Sequence, residues 1–445
     1  MSRRAASAPA RMISADEAAA LVRSDTWIDF AVNLATPDQF DAALARRTAG
    51  LRNVKIRCGL TPRPPLALAS DPEGERYHGF SWHVGGHERR LTDVGRCHYV
   101  PLHLGEVPDY YRRFIEPPDV AVFKTGPMDA DGYFNLGPSN LWCRAVAERA
   151  RTVIVEVSPG IPHALGVENA LHVDEVDYII EGDPGAPPEL SSAPPGEIDR
   201  AVARHIAAEI DEGACLQIGI GGMPNAVCTM LLESDFRDLG IHTEMLTDGL
   251  AELYRAGRIT GARKRLDVGK ITYTFALGSK RLYETIHRNP DLHCCAVDYT
   301  NAPHIIMQND QVVSINNTTQ IDLQGQAASE SDGHRQISGT GGQAQFVRGA
   351  YASRDGKSFI CLASTYDKRG ERRSRIVFEL TPGNIVTTPR SDVMYVVTEY
   401  GAVNLKGKSV PERALALIGI AHPDFRESLE RQAHEHRLLP RGVSF

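Results

Sequence analysis

The chain has 445 residues, of which 42% are hydrophobic and 24% charged, a balance that fits two or three globular domains with sizeable cores. Its formal net charge of −7 argues against a general nucleic-acid surface. No run of 18 apolar residues is present, so no helix is predicted to cross a membrane. The eight cysteines include no CxxC pair, which points away from a zinc knuckle or a disulfide framework and towards a reducing, cytoplasmic setting. His434 and His436 lie in a polar, helical stretch without partner ligands nearby in sequence, so they read as solvated and no metal site is expected.

In chain order, the segment MSRRAASAPARM carries three arginines and no apolar core. It is unlike a signal peptide and reads as a disordered arm. Ser14 followed by Glu17 forms a capping box that opens the first helix. Trp27–Val32 is a short apolar run, followed by Thr36-Pro37 and a helical pattern through Phe40 and Leu44, then by a second apolar strand over Val54–Cys58. Residues 181–196, EGDPGAPPELSSAPPG, hold five prolines and three glycines and are incompatible with a helix or a central strand, so they read as a linker. A helical pattern through Ile198, Val202, Ile206 and Ile210 follows at once.

The second half then repeats the first. Leu216–Ile220 is an apolar run, Met223-Pro224 precedes a helical pattern through Val227 and Leu231, and Ile241–Met245 is the next strand. Arg57 and Glu244 each lie 20 residues after the corresponding proline. A second echo joins DVAVFKTGPMDADGYFNLG, ending at Gly137, to DVMYVVTEYGAVNLKG, ending at Gly407. The pattern predicts an α/β protein built by internal duplication: two similar domains with mostly parallel sheets, over 1–186 and 197–445.

Three segments in the second half carry chemistry. In IGIGGMPNAV a strand ends in Gly219, Gly221 and Gly222, and a helix is predicted from Pro224. Glycines admit a ligand close to the backbone, and a helix N-terminus favours an anion or a carbonyl oxygen. The first-half copy, Asn33-Leu34-Ala35-Thr36-Pro37, lacks the glycines, so the second half is expected to hold the ligand. The turn does not match GxGxxG, and no dinucleotide is inferred. In HTEMLTDG, Glu244 falls at a strand end, where open α/β sheets place their crevice. Residue type alone leaves open a reactive carboxylate or a surface glutamate. In SGTGGQAQFVRGA, Gly339, Gly341 and Gly342 make a loop whose N–H groups suit a developing negative charge, and Arg348 suits a phosphate or carboxylate. Lys280 and Asn301 are candidate contacts, against the commoner readings of a solvated lysine and a turn asparagine.

Together, GIGGMPNAV, GIHTEMLTDG, FALGSKRLYE, INNTTQIDLQGQ, GTGGQAQFVRGA and VTEYGAVNLKGKS, with GPMDADGYFNLG in the first half, resemble the acetyl-CoA hydrolase/transferase family. The nearest branch is that of the 4-hydroxybutyrate CoA-transferases. The resemblance implies a CoA-transferase-like fold and a ping-pong transfer of CoA between an acyl-CoA and a small carboxylic acid, acetate being the expected partner. Hydrolysis of the acyl-CoA by the same glutamate is the alternative. By resemblance Glu244 is the nucleophile and Gly219, Gly221 and Gly222 are the CoA turn, with Met223 and Pro224 adjoining it. Gly341 and Gly342 are then the backbone donors near the thioester. Residues 197–445 are accordingly expected to bind CoA and carry the nucleophile, and residues 1–186 to shape the acid pocket. CoA is a substrate and a covalent intermediate, no permanent cofactor is implied, and a homodimer is expected. The chain departs from the family at Gln345 and Gln320, where an acidic residue and a glutamate are frequent; both changes are expected to bear on substrate preference. Glu244, taken at the ordinary carboxyl pKa of about 4.3, is expected to be ionised without help from a base.

Overall fold

A computed structural model describes residues 8–47, 50–190 and 194–440. Two eight-stranded sheets organise it. The first contains β1 (Arg11–Met12), β2 (Trp27–Asp29), β3 (Val54–Cys58), β4 (Tyr77–Ser81), β5 (Cys97–Tyr99), β6 (Val120–Thr125), β7 (Thr152–Val157) and β8 (Tyr178–Glu181). The second contains β9 (Cys215–Ile218), β10 (Gly240–His242), β11 (Ile271–Tyr273), β12 (Leu292–Cys294), β13 (Val312–Asn317), β14 (Lys357–Cys361), β15 (Tyr395–Thr398) and β16 (Gly401–Asn404).

The first sheet runs β5-β4-β3-β2-β6-β7-β8-β1 and the second β12-β11-β10-β9-β13-β14-β15-β16. Over the first seven places the order is the same, as the duplication read from the sequence predicts. All pairings within the two sheets are parallel except β15 with β16. The central strands read as buried parallel strands should: all six residues of β6 (VAVFKT) are buried, because helices cover both faces and the usual alternation is lost. The edges differ. The first sheet recruits β1 from before β2, whereas the second folds β16 back from β15 as a hairpin.

Four expectations change. Residues 1–7 of the expected arm lie outside the described residues, but Arg11 and Met12 pair with Tyr178 and Ile179 as an edge strand. The echo of residues 119–137 in 392–407 is not a structural equivalence, since β6 takes the fifth place in its sheet and β15 the seventh. It reflects two hairpin-like strand exits with similar turn residues. The helix after β9 begins at Gly222, two residues before Pro224, and β10 stops at His242, two residues short of Glu244. Of the helical run after the linker, Val202, Ile206 and Ile210 are buried, while Ile198 is 44% exposed.

The linker is more than a spacer. Leu190 N–H donates to Gly278 O (3.0 Å), Tyr283 Oη donates to Pro188 O (2.7 Å), and Glu189 Oε2 accepts from Lys280 N–H (2.9 Å). Its residues 191–193 lie outside the described ones. The two halves also share a core: Met245, Phe275 and Val297 pack into the cluster formed by Trp82, Phe123, Phe134 and Trp142. Pro138 O accepts from Ala276 N–H (2.9 Å), and Leu141 N–H donates to Thr274 O (3.4 Å). His434 Nδ1 meets Leu439 O (3.0 Å), and His436 stacks on Phe378 with ring centroids 4.7 Å apart, so both histidines have local partners rather than water alone.

Candidate active site

The order of the second sheet reverses between β9 and β13. From β9 the chain winds outwards to β12, and from β13 it winds the other way to β16. Open α/β sheets bind ligands outside the carboxyl ends of strands at such a reversal. A cavity of about 500 Å³ opens there, with Gln217, Ile218, Gly219 and Ile220 from the end of β9 and Asn316 and Asn317 from the end of β13. Side-chain amides fix this floor. Gln217 Oε1 accepts from Ser314 Oγ (2.7 Å) and Asn316 Nδ2 (3.1 Å), and Asn317 Nδ2 donates to Ile220 O (3.1 Å). Gly221 follows with φ +119°, a conformation that an L-residue adopts only with strain. It lets the chain turn from β9 into the helix α1 (Gly222–Glu233).

Glu244 sits on the cavity wall, between β10 and the two-residue strand Met245–Leu246. Its backbone is pinned, because Glu244 O accepts from the N–H groups of Thr274 (3.1 Å) and Phe275 (3.2 Å). Its carboxylate is held as well: Asn301 Nδ2 donates to Oε2 at 2.6 Å, and the N–H of Gly342, next to it, favours the anion. Gly342 caps the helix α2 (Gln343–Ala352), so the N-terminus of that helix points at the carboxylate. A methyl group on Gly342 would collide with both Glu244 Oε2 and Asn301 Nδ2, and glycine is therefore a steric requirement. Gly341 has φ +57°. A Cβ built on it would lie 3.7 Å from His83 Cε1 and 4.0 Å from Glu244 Oε1, so the missing side chain keeps a gap between these two groups.

Burial raises the Glu244 pKa to about 7, against which Asn301 and the Gly342 N–H act by favouring the anion. This corrects the expectation of an ordinary carboxyl. At neutral pH the group is then a mixture of acid and carboxylate, and the two donors keep the anion accessible in a pocket with no lysine or arginine among its described lining residues.

The first half supplies the facing wall, through residues that the sequence did not single out. Asn33, Leu60, Thr61, Pro62, His83 and Gly85 all line the cavity. Asn33 and Leu60 have φ of +51°, and for a leucine that is a strained conformation of the kind that gathers at functional sites. Thr61 is anchored by Glu88, whose Oε1 accepts from both its N–H (2.8 Å) and its Oγ1 (2.6 Å). His83 Nε2 meets Ser338 Oγ (3.2 Å). Burial, with repulsion from Arg89, lowers its pKa to about 4, so the ring is neutral. One signal was available: counting back from Pro37 and Pro224, Asn33 and Ile220 are equivalent, and both line the cavity. The left-handed Leu60 has no sequence signature.

The expected residues divide. Glu244, Asn301, Gly341 and Gly342 converge, and Gly219 and Gly339 line the cavity with them. Gly221, Gly222, Met223 and Pro224 do not line it. A Cβ on Gly222 would lie 2.5 Å from Asp199 Oδ2, so this end of α1 faces the first turn of the preceding helix. Arg348 points away and pairs with Asp392 (2.7 Å). Lys280 is exposed, 3.8 Å from Glu284, and touches the site only through its N–H on Glu189. Arg57, the repeat counterpart of Glu244, stacks on Trp27 (4.1 Å) and donates to Glu116 O (2.8 Å), away from the cavity. Neither departure from the family pattern lines the cavity. Gln320 ties Thr381 and Asn384, and Gln345 Oε1 accepts from Gly105 N–H (2.9 Å) behind Asn301. Glu399, the other carboxylate after an apolar strand, is held by Ser364 N–H (2.9 Å) and Ser364 Oγ (2.5 Å), outside the lining.

The acetyl-CoA hydrolase/transferase N-terminal domain matches residues 2–187, and the C-terminal domain of the same family matches 278–433. A butyryl-CoA:acetate CoA-transferase of Anaerostipes caccae is 45% identical over 435 residues, 97% of this chain and 98% of that one. A 4-hydroxybutyrate coenzyme A transferase of Clostridium kluyveri is 45% identical over 348 residues, 78% of this chain and 79% of that one. The crystal structure of RipA from Yersinia pestis superposes with a TM-score of 0.89 at 38% identity, covering 96% of this chain and 98% of that one. Two matching domains in the family's order, joined through a cavity centred on Glu244, place this chain in the acetyl-CoA hydrolase/transferase family.

Proposed function

We propose that the protein is a CoA-transferase that moves CoA between an acyl-CoA and a small carboxylate, acetate being one, through a thioester on Glu244. The observation that carries this reading is the carboxylate of Glu244, held at 2.6 Å by Asn301, with the N–H of Gly342 next to it, at the mouth of a strand-end crevice. The carboxylate attacks the thioester carbonyl, CoA leaves as the thiolate, and a mixed anhydride of Glu244 and the acyl group remains. The thiolate then attacks the glutamyl carbonyl, and the first acid departs as a carboxylate. A second carboxylate enters and the steps run in reverse. Every step passes through a tetrahedral oxyanion, and the N–H of Gly342 and the amide of Asn301 stand where donors to it are needed. A carboxylate is a weak nucleophile toward a thioester, so fixed placement has to supply much of the rate; well-oriented reactants gain about 7–11 kcal/mol.

The floor of amides from Gln217, Asn316 and Asn317 suits the pantetheine arm, with Gly219 leaving room for it. In this division residues 197–445 bind CoA and carry the nucleophile, while 1–186 shape the acid pocket through Asn33, Leu60, Thr61 and His83. The protein acts in the cytoplasm as a homodimer. The cytoplasmic placement is supported by its eight free cysteines, all buried, and the dimer by the family.

Release of free thiol from butyryl-CoA, followed with and without acetate, tests the reading. Transfer predominates if acetyl-CoA accumulates with acetate and thiol release without acetate is slower by at least about 10-fold. Equal thiol release in both arms, with no acetyl-CoA, would make the protein a hydrolase.

A further inference from the structure

The charge of the cavity wall is one-sided. Among the described residues, the wall carries Glu189 and Glu244 and contains no lysine or arginine. Its histidines are His83, which burial keeps neutral, and His87 at the start of the helix Gly86–Asp93. Arg89, the cation that His83 feels, turns its Nε to Ile337 O (2.8 Å) and is not part of the lining. The rest of the lining is uncharged: Leu60, Pro62, Met245, Phe275, Leu277 and Phe346 are its apolar part, with neutral amides and hydroxyls such as Thr61 and Gln343 among them. Asn33 spends its Nδ2 on Ala276 O (2.9 Å) and Ser139 Oγ (3.2 Å), and its buried Oδ1 has no partner among the described residues. The donor side of that amide is therefore occupied, and only an acceptor is left over.

From this wall, and resting on the CoA-transferase reading, we infer that the acids exchanged are monocarboxylic with an uncharged chain, and that dicarboxylic acyl groups such as succinyl are rejected. The transferred carboxylate of any acid meets the donors at Glu244, so one negative charge is provided for. A second carboxylate at the far end of a short chain would be stripped of water against apolar side chains, beside two glutamates and an unpartnered carbonyl oxygen. A buried charge without a partner is strongly penalised. Glu244 reports the same field from within. Burial raises its pKa, and only two neutral donors oppose the rise, which is the behaviour of a carboxyl with no cation at hand.

The experiment compares butyryl-CoA and succinyl-CoA as donors to acetate, using the full-length protein and measuring kcat/KM for acetyl-CoA formation. The expected ratio favours butyryl-CoA by at least about 10²-fold, the discrimination of a pocket that leaves a polar group unpaired. A ratio within about threefold, with good transfer from both donors, overturns the inference and leaves the CoA-transferase reading standing. Absence of transfer from either donor defeats that reading, and the inference with it. Leu277→Lys places a cation on the wall. In a folded variant the ratio is expected to fall by about 10-fold or more through faster use of succinyl-CoA, and an unmoved ratio would overturn the electrostatic cause.

Discussion

Replacing Glu244 with glutamine is expected to lower CoA transfer by at least about 10⁴-fold, because the amide keeps the shape of the side chain and loses the nucleophile. The residual fold should be sound, and at high pH firmer than the parent. The carboxyl has a folded-state pKa of about 7, above the unfolded value of about 4.3. The native state therefore binds more protons between these values, and the associated stability is present in full below the lower pKa and lost as pH rises through the upper one. Glu244→Gln removes that dependence. Its melting temperature, set against the parent protein, is expected to be higher at pH 8 than at pH 4, read by calorimetry at both. The same titration governs the parent's rate. With the carboxylate as the reactive form, kcat/KM should rise about 10-fold per pH unit below 7 and level off above. A profile flat from pH 5 to 8 would show that Glu244 ionises at the ordinary value.

Gly342→Ala is expected to lower kcat by about 10²–10³-fold, the loss typical of removing one oxyanion donor. The reason is steric. The added methyl has no space between Glu244 Oε2 and Asn301 Nδ2, so either the carboxylate swings off its donors or α2 shifts and takes the N–H with it. Both outcomes misplace the reacting atom, and a misplacement of about 1 Å can cost about 10²-fold. Gly341→Ala, whose methyl would stand 4.0 Å from Glu244 Oε1, meets no such collision and pays only for its φ of +57°. Steady-state kinetics of the two variants against acyl-CoA check the difference. Equal losses would mean that backbone strain in the loop, rather than contact with the carboxylate, sets the requirement for glycine.

What the sequence revealed follows a physical pattern. The duplicated sheet was legible because parallel strands buried on both faces leave continuous apolar runs, and turn residues punctuate them at matching distances in each half. Glu244 and the glycines at 339–342 were legible because a charge at a strand end and a glycine cluster are locally unusual. Asn301 was legible as a candidate contact, but its pairing with Glu244 was not. It lies 57 residues from its carboxylate partner, and no local pattern encodes such a distance. Arg348 misled because its charge suits an anion, yet Asp392 meets it at 2.7 Å on the outer face of its helix. The individual residues of the first-half wall were the largest omission, although that half was expected to shape the acid pocket. Leu60 looks like any apolar residue after a strand, and its left-handed backbone and its place opposite Glu244 are set by how the two halves pack. The pKa was also out of reach, because the sequence supplies the carboxyl but not the burial that raises it.

Mass analysis of the protein after incubation with butyryl-CoA, without an acid acceptor, tests the central claim most directly. CoA is expected to be attached covalently to the peptide that contains Glu244 and released by acetate as acetyl-CoA, and borohydride is expected to reduce the thioester to an alcohol at that residue. Attachment to the peptide that contains Glu399, or transfer proceeding in Glu244→Gln, would contradict it.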